Sequence, residues 1–289
     1  MDSPCTACSW TAARQDGCRY NSHVKIFREV SDRACWSLGS RLILKERSAA
    51  PPNYEAANIG FLRQNTSIPV PEIVEEWTEG EENGSSGRHF IITKRVEGVP
   101  LSEAWGKMSQ EDREKVARQV GAYLAQLRRL QSPRMECLGG KPVYSTFLFP
   151  GSEYEDPHGP MASDDKLWAE MTKNWHGKEA HLKYLRDKMP RAEPYTFTHR
   201  DLTNENIMVK DGNLTGIIDW EASGFFPMWW EYACAGIGLG DDDAEWKALL
   251  RKHMPDFKEA RQFYRAFVLL GRDHEGTGVA KEIVEEMKG

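Results

Sequence analysis

The chain has 289 residues and a formal net charge of -6, with 28% charged and 10% aromatic residues. This length can bury a sizeable core in one large domain or two lobes, so a globular protein is expected rather than a fragment. The acidic balance lacks the basic footprint that phosphate-backbone binding requires and argues against nucleic acid. With no apolar run of about 18 residues, and no signal-like start in MDSPCTACSW, no membrane partner and a cytoplasmic location are expected.

In chain order, the first feature is a cluster of cysteines. Cys5-x-x-Cys8 with Cys18 and His23 can be drawn as a zinc site, but only one such pair exists, so an unligated N-terminal arm is preferred. Without an export signal, all six cysteines, including Cys35, Cys137 and Cys234, read as reduced thiols. Three strands follow, Val24 to Val30, Ala34 to Leu38 and Arg41 to Lys45, separated by Ser31-Asp32-Arg33 and Gly39-Ser40 as an antiparallel meander. After Pro51-Pro52-Asn53 comes a helix with Glu55, Ile59 and Leu62 on one face, so that a carboxylate shares the apolar side. Pro69 and Pro71 end it. Two more strands, Glu72 to Trp77 and His89 to Val96, flank the polar loop EGEENGSSG.

Beyond Gly98 the pattern becomes helical. Ser109 with Asp112 forms a capping box ahead of the stripe Val116, Val120, Tyr123, Leu124, Leu127 and Leu130. A helical region is expected over Asp164 to Lys188, and two more near the end, where Phe257, Ala260, Phe263, Tyr264, Phe267 and Leu270 keep helical spacing. These stripes read as core. The organisation is a β-rich lobe over residues 1–97 and a larger helical lobe over 98–289, with the chemistry expected between them.

The segment FTHRDLTNENIMVKDGNLTGIIDWE, residues 197–221, carries the chemistry. Ile207 to Val209 and Leu214 to Ile218 are strand-like, and Asp211-Gly212 is a two-residue hairpin signal. Pairing about that turn would set Asn206 and Asp219 at one end of the hairpin, with Asp201 in the loop before it. Phosphoryl transfer needs such a set: a carboxylate near the acceptor hydroxyl and oxygen ligands for magnesium on the nucleotide phosphates. His199-Arg200-Asp201 followed by Asn206 matches H-R-D-x-x-x-x-N, and Asp219 stands where the metal-binding Asp of D-F-G would be. The opposing reading is turn-capping Asp and Asn residues without chemistry.

On that segment, together with Asn65-Thr66-Ser67-Ile68-Pro69-Val70-Pro71, Gly216-Ile217-Ile218-Asp219-Trp220-Glu221 and Phe226-Pro227-Met228-Trp229-Trp230-Glu231-Tyr232, the chain resembles the aminoglycoside phosphotransferase and choline kinase group of small-molecule kinases, especially its fungal branch. The resemblance spans most of the chain. It implies an α+β, protein-kinase-like two-lobed fold, ATP with Mg2+ as cofactors, and transfer to a hydroxyl of a small, often amine-bearing compound. It implies Asp201 as catalytic base, Asn206 and Asp219 as metal ligands, Lys45 as the nucleotide-binding lysine and Glu55 as its partner. Strand alternation and the inward helix face agree with the last two, while a surface Lys and a surface Glu are the plainer alternative. His199 reads as a loop residue that fixes the Asp201 backbone, and Arg200 as a member of an ion pair.

Three departures stand out. Ser31-Asp32-Arg33 contains no glycine where protein kinases carry G-x-G-x-x-G, and Asp32 near phosphate would be unfavourable unless it turns away. Thr93-Lys94-Arg95 replaces the acidic and aromatic residues common at the inter-lobe connection, where adenine is expected to be read by backbone. Asp241, Asp242, Asp243 and Glu245 could form an acidic wall for a cationic acceptor, but a helix start is preferred. Trp220, Trp229 and Trp230 are expected to pack the lobe. The alternative function is a catalytically silent scaffold of the same fold. A protein kinase ranks below it, because Thr203 stands where the catalytic-loop lysine would be and neither D-F-G nor A-P-E occurs.

Overall fold

In a computed structural model of the protein, the structure describes residues 23–30, 32–80, 87–235, 238–272, 281–283 and 285. Cys5, Cys8 and Cys18, Ser31 of the first turn, and positions 81–86 of the polar loop lie outside the described residues. The chain divides into two compact units. One comprises residues up to Gly98 together with Thr215–Glu221, the other Val99–Leu214 and the chain from Ala222 onward.

The first unit is built on an antiparallel sheet of β1 (Val24–Val30), β2 (Arg33–Leu38), β3 (Leu42–Ser48), β4 (Ile73–Glu79) and β5 (Arg88–Lys94), in the order β1-β2-β3-β5-β4. Strand β3 runs three residues past the expected Lys45. The reason is tertiary: β5 offers partners through Ser48↔Arg88, and backbone groups that find a ladder stay in it. Helix α1 (Glu55–Asn65) turns Glu55, Asn58, Ile59 and Leu62 inward, the i, i+3, i+4, i+7 face. Extended Thr66 stops it, with both its N–H and its hydroxyl donating to the Leu62 carbonyl at 2.8 and 2.7 Å. The Thr215–Glu221 segment is anchored here by Ile217 N–H to Pro69 O at 2.8 Å. A Cβ on Gly216 would meet Val96 Cγ1 at 2.6 Å, so only glycine lets the strand come this close.

The second unit opens with β6 (Val99–Pro100), α2 (Leu101–Ala104) and α3 (Gln110–Leu127). Ser109 Oγ accepts the Asp112 N–H at 3.1 Å and donates to Asp112 Oδ2 at 2.7 Å, the cap expected from sequence. Val116, Ala117, Val120, Leu124 and Leu127 of α3 are buried. Then come β7 (Gln131–Ser132), α4 (Asp164–Met171), α5 (Glu179–Lys188), β8 (Tyr195–Thr198), β9 (Ile207–Lys210), β10 (Asn213–Ile217), β11 (Gly224–Pro227), α6 (Trp230–Cys234), α7 (Asp241–Arg251) and α8 (Lys258–Arg272). The single helical region expected over Asp164 to Lys188 is two helices. Thr172 Oγ1 turns back to Trp168 O at 2.8 Å, Asn174 Nδ2 donates to Gly151 O at 3.1 Å, and Gly177 passes so close that a Cβ would lie 2.4 Å from Leu270 O. A continuous helix could not make that approach.

Two small sheets organise this unit, β11-β8-β7 and β10-β9-β6. At the β9–β10 turn Asp211 and Gly212 both have positive φ, 50° and 68°, the geometry that an Asp-Gly two-residue turn prefers. The core is aromatic: Trp230 meets Tyr264 edge-on at 4.9 Å, and Trp229, Phe263 and Phe267 continue the cluster along α8. Trp220, Trp229 and Trp230 are buried packing residues, as expected. Cys35, Cys137 and Cys234 are free thiols. Among the described residues no helix is long and apolar enough to cross a membrane.

Candidate active site

In the first unit, the sheet, the helix and the 215–221 segment converge on Lys45. Its Nζ donates to Glu55 Oε1 and Oε2 at 2.7 and 2.9 Å and to Asp219 Oδ1 at 3.0 Å. Position on β3 and the inward face of α1 bring the first pair together, ten residues apart in sequence. Asp219 arrives from 174 residues further along the chain. Burial acts against the charge on Lys45, but Asp219, Glu55 and Glu221 outweigh it and hold its pKa above the ordinary value, so the ammonium is the stable form. Burial pushes the Glu55 carboxyl up, with Lys45 pulling the other way. The surface reading of Lys45 and Glu55 is thereby excluded: Glu55 is 3% exposed.

Asp219 sits at φ 67°, in the left-handed region that costs a non-glycine residue energy. The following Glu221 holds its turn in place by ion pairs to Arg33 of β2 and Arg47 of β3, while Asn58 Nδ2 donates to Trp220 O at 2.8 Å and Trp220 is fully buried. Sequence reasoning passed over Arg33, Arg47 and Glu221. The signal was present, since Arg47 lies two residues beyond Lys45 and so shares its face of the strand. Asp32 Oδ2 accepts the Ser48 N–H at 3.3 Å and pairs with Arg88, while its Oδ1 pairs with Arg33 at 3.8 Å. Glu55, Asp219 and Glu221 present carboxylate oxygens within 4.8 Å of one another.

In the second unit, the loop between β8 and β9 carries Asp201 and Asn206. Asn206 Nδ2 donates to the Asp201 backbone carbonyl at 2.8 Å and to Asp201 Oδ2 at 3.0 Å. The amide nitrogen of Asn206 therefore faces Asp201. Asp201 itself is exposed while Asn206 is buried. His199 Nδ1 accepts the Asp201 N–H at 3.2 Å, the structural role expected of it. Arg200 departs from expectation. It makes no ion pair among the described residues; its Nη1 donates to Tyr144 O at 2.6 Å and Ala222 O at 2.8 Å, and its guanidinium lies 4.7 Å over the Phe226 ring. Arg200 also has positive φ, 76°, so strain is stored just before the candidate base.

That strained turn is held from behind by groups that the sequence did not reveal as partners. Glu231 of α6 accepts the His199 and Arg200 N–H groups at 2.6 and 3.1 Å, and loss of hydration pushes its carboxyl up to about 7. Trp246 Nε1 donates to Leu202 O at 3.0 Å. Asp243, 2% exposed, accepts the Asn204 N–H at 2.8 Å and pairs with Lys247 at 2.9 Å. The acidic start of α7 is thus a helix start, and one of its carboxylates supports the loop rather than lining a wall for a cation.

Asn206 immediately precedes β9, and Asp219 follows the end of β10 by two residues. Each unit by itself offers a hard oxygen donor of the kind magnesium takes: the Asp219 carboxylate, held by Lys45, in the first, and the Asn206 amide oxygen, oriented by Asp201, in the second.

A model of the phosphotransferase enzyme family matches residues 26–266. The chain belongs to that family. Solved structures of phosphotransferases agree on the fold. Aminoglycoside phosphotransferase APH(2'')-Ib bound to ADP is 12% identical with a TM-score of 0.57, over 94% of this chain and 93% of that one. The streptomycin-ATP ternary complex of APH(2'')-IIa is 13% identical with a TM-score of 0.55, over 96% and 94%. A thermostable mutant of APH(4)-Ia with ADP and hygromycin B is 15% identical with a TM-score of 0.54, over 93% and 95%. No curated protein sequence matches the chain significantly. The phosphotransferase therefore has the α+β, protein-kinase-like fold that its motifs imply.

Proposed function

We propose that the protein transfers the γ-phosphoryl group of ATP to a hydroxyl on a small molecule. Asp201 orients that hydroxyl and receives its proton as the oxygen bonds to the γ-phosphorus and the bond to the β-phosphate oxygen breaks, releasing ADP. Lys45, held by Glu55, positions the nucleotide's α and β phosphates. Asn206 and Asp219 would hold Mg2+, which when bound offsets charge on the β and γ phosphates. The observation that carries the reading is the Lys45 ammonium bound at once to Glu55 and Asp219, because such a cation is kept charged and aimed without any glycine-rich cover. The solved relatives hold ADP, ATP, streptomycin or hygromycin B, which supports a nucleotide and a small acceptor here.

Isothermal titration with MgATP, followed by a transfer assay over a panel of hydroxylated small molecules, tests this. Asp201→Asn is expected to keep MgATP affinity and to lose turnover by about 10²-fold or more. Full turnover in that variant would remove Asp201 as the base. The rival reading, a silent scaffold, predicts MgATP binding in the wild type with neither hydrolysis nor transfer.

A further inference from the structure

The charged cluster of the first unit has a more exposed row and a more buried one. The side chains of Lys45, Asp219 and Arg33 are 23, 32 and 33% exposed, whereas those of Glu55, Glu221 and Arg47 are 4, 15 and 10% exposed. Each exposed cation is held by a buried carboxylate: Lys45 by Glu55, and Arg33 by Glu221, which also takes Arg47. Because Glu55, Asp219 and Glu221 bring carboxylate oxygens within 4.8 Å of one another, the Lys45 ammonium and the Arg33 guanidinium are neighbours across one cluster. The Lys45–Glu55 arrangement is thus repeated once, with a guanidinium in place of the ammonium.

Strand register says on which side of Lys45 this guanidinium stands. Cys35 pairs with Lys45 and Ala34 with Glu46, so one further step sets Arg33 opposite Arg47, on the face of the sheet that carries Lys45. Like charges directly opposite repel, and the shared Glu221 offsets that. Along β3 the partners on β5 run from Leu42↔Lys94 through Lys45↔Ile91 to Arg47↔His89. Lys94 belongs to the connection whose backbone is expected to read adenine. Travelling away from it, Lys45 comes after about 10 Å of strand, and Arg47 with Arg33 after about 17 Å. A nucleotide laid along this line with its α and β phosphates at Lys45 extends its γ-phosphate toward Arg33. The 31–33 turn lacks the glycines that let backbone N–H groups close on phosphate, and a guanidinium fork supplies fixed charge and paired donors for the same task. Glu221 engages Nη1, while Asp32 stands 3.8 Å from Nε, beyond hydrogen-bond length. Five N–H groups allow a guanidinium to hold a carboxylate and donate to a phosphate at once.

We infer that Arg33 is a ligand of the γ-phosphate, aimed by Glu221, and that its guanidinium takes the place of a glycine-rich cover. The inference rests on the ATP reading of the site and deepens it, by assigning the terminal phosphate to a side chain of β2. The plainer role for the same residue is a strut that steadies the Asp219 turn through Glu221. With metal removed, such a strut would not distinguish a nucleoside triphosphate from a diphosphate.

The test is calorimetric titration of the full chain with ADP and with AMP-PNP, an ATP analogue that resists hydrolysis, first with magnesium and then in EDTA. Arg33→Met is expected to weaken AMP-PNP binding about ten-fold or more while ADP affinity changes by less than about two-fold. The difference should persist in EDTA, where Asp219 has no metal to hold. Should that variant fail to fold, Arg33→Lys, which keeps the charge and drops the fork, should weaken AMP-PNP about three-fold or more with ADP affinity unchanged. Equal losses for the two nucleotides, a difference confined to magnesium, or wild-type AMP-PNP affinity in both variants would each overturn the inference and leave the ATP reading standing. A wild-type chain that binds neither nucleotide would overturn both together.

Discussion

Glu231 is the place to perturb the loop without touching a group that meets substrate. Its carboxyl is raised from an ordinary 4.5 to about 7, chiefly by loss of hydration, with the N–H groups of His199 and Arg200 pulling the other way. The folded protein therefore holds this proton across a range in which the unfolded chain has lost it. Stability contributed in this way is full below the unfolded value and is lost as pH rises through the folded one. The shift corresponds to about 3 kcal/mol at most, and partial exposure of the side chain brings the expected figure to about 2 kcal/mol. Glu231→Gln, which mimics the protonated acid, should be close to wild type near about pH 5 and more stable than it by about 2 kcal/mol near about pH 8. Its amide oxygen accepts only one of the two N–H groups, so turnover should fall at every pH while MgATP affinity persists. Urea unfolding across the pH series, paired with the transfer assay, reads both effects. Parallel stability curves for the two proteins would refute the raised carboxyl, and unchanged turnover would refute the loop-holding role.

Lys45→Met should leave Glu55 and Asp219 facing each other without a cation, lowering stability by about 2 kcal/mol and weakening MgATP binding, as measured by calorimetric titration and thermal melting. Asp219→Ala should abolish the magnesium dependence of nucleotide binding, and EDTA should do the same to the wild type; equal ATP affinity with and without magnesium would count against Asp219 as a ligand. Gly212→Ala should cost about 1–2 kcal/mol in urea unfolding, because φ is 68° there and a Cβ would lie 2.4 Å from Asp112 Oδ1. A neutral effect would mean that the β9–β10 turn can relax.

Local chemistry made much of this protein legible in one dimension. The Asp211-Gly212 turn, the Ser109 cap, the inward Glu55 on α1 and the stripes of α3 and α8 all depend on residues within a turn or two of one another. Spacing therefore encodes them, as it encodes the pairing of Asp201 with Asn206 five positions on. The rest depends on distant partners. Nothing local says that β3 runs to Ser48, since β5 supplies the partners, or that the 164–188 stretch must break where Gly177 meets Leu270. Arg200 looks like one half of an ion pair until two carbonyls and a ring surround it. Glu231 and Asp243 look like ordinary helix-start acids until they take the N–H groups of a loop more than 30 residues away in sequence. Charge, size and hydrogen-bonding capacity are properties of a residue and are readable from its letter. Desolvation, backbone strain and the choice of partner are properties of a place, and only the packed tertiary structure assigns them.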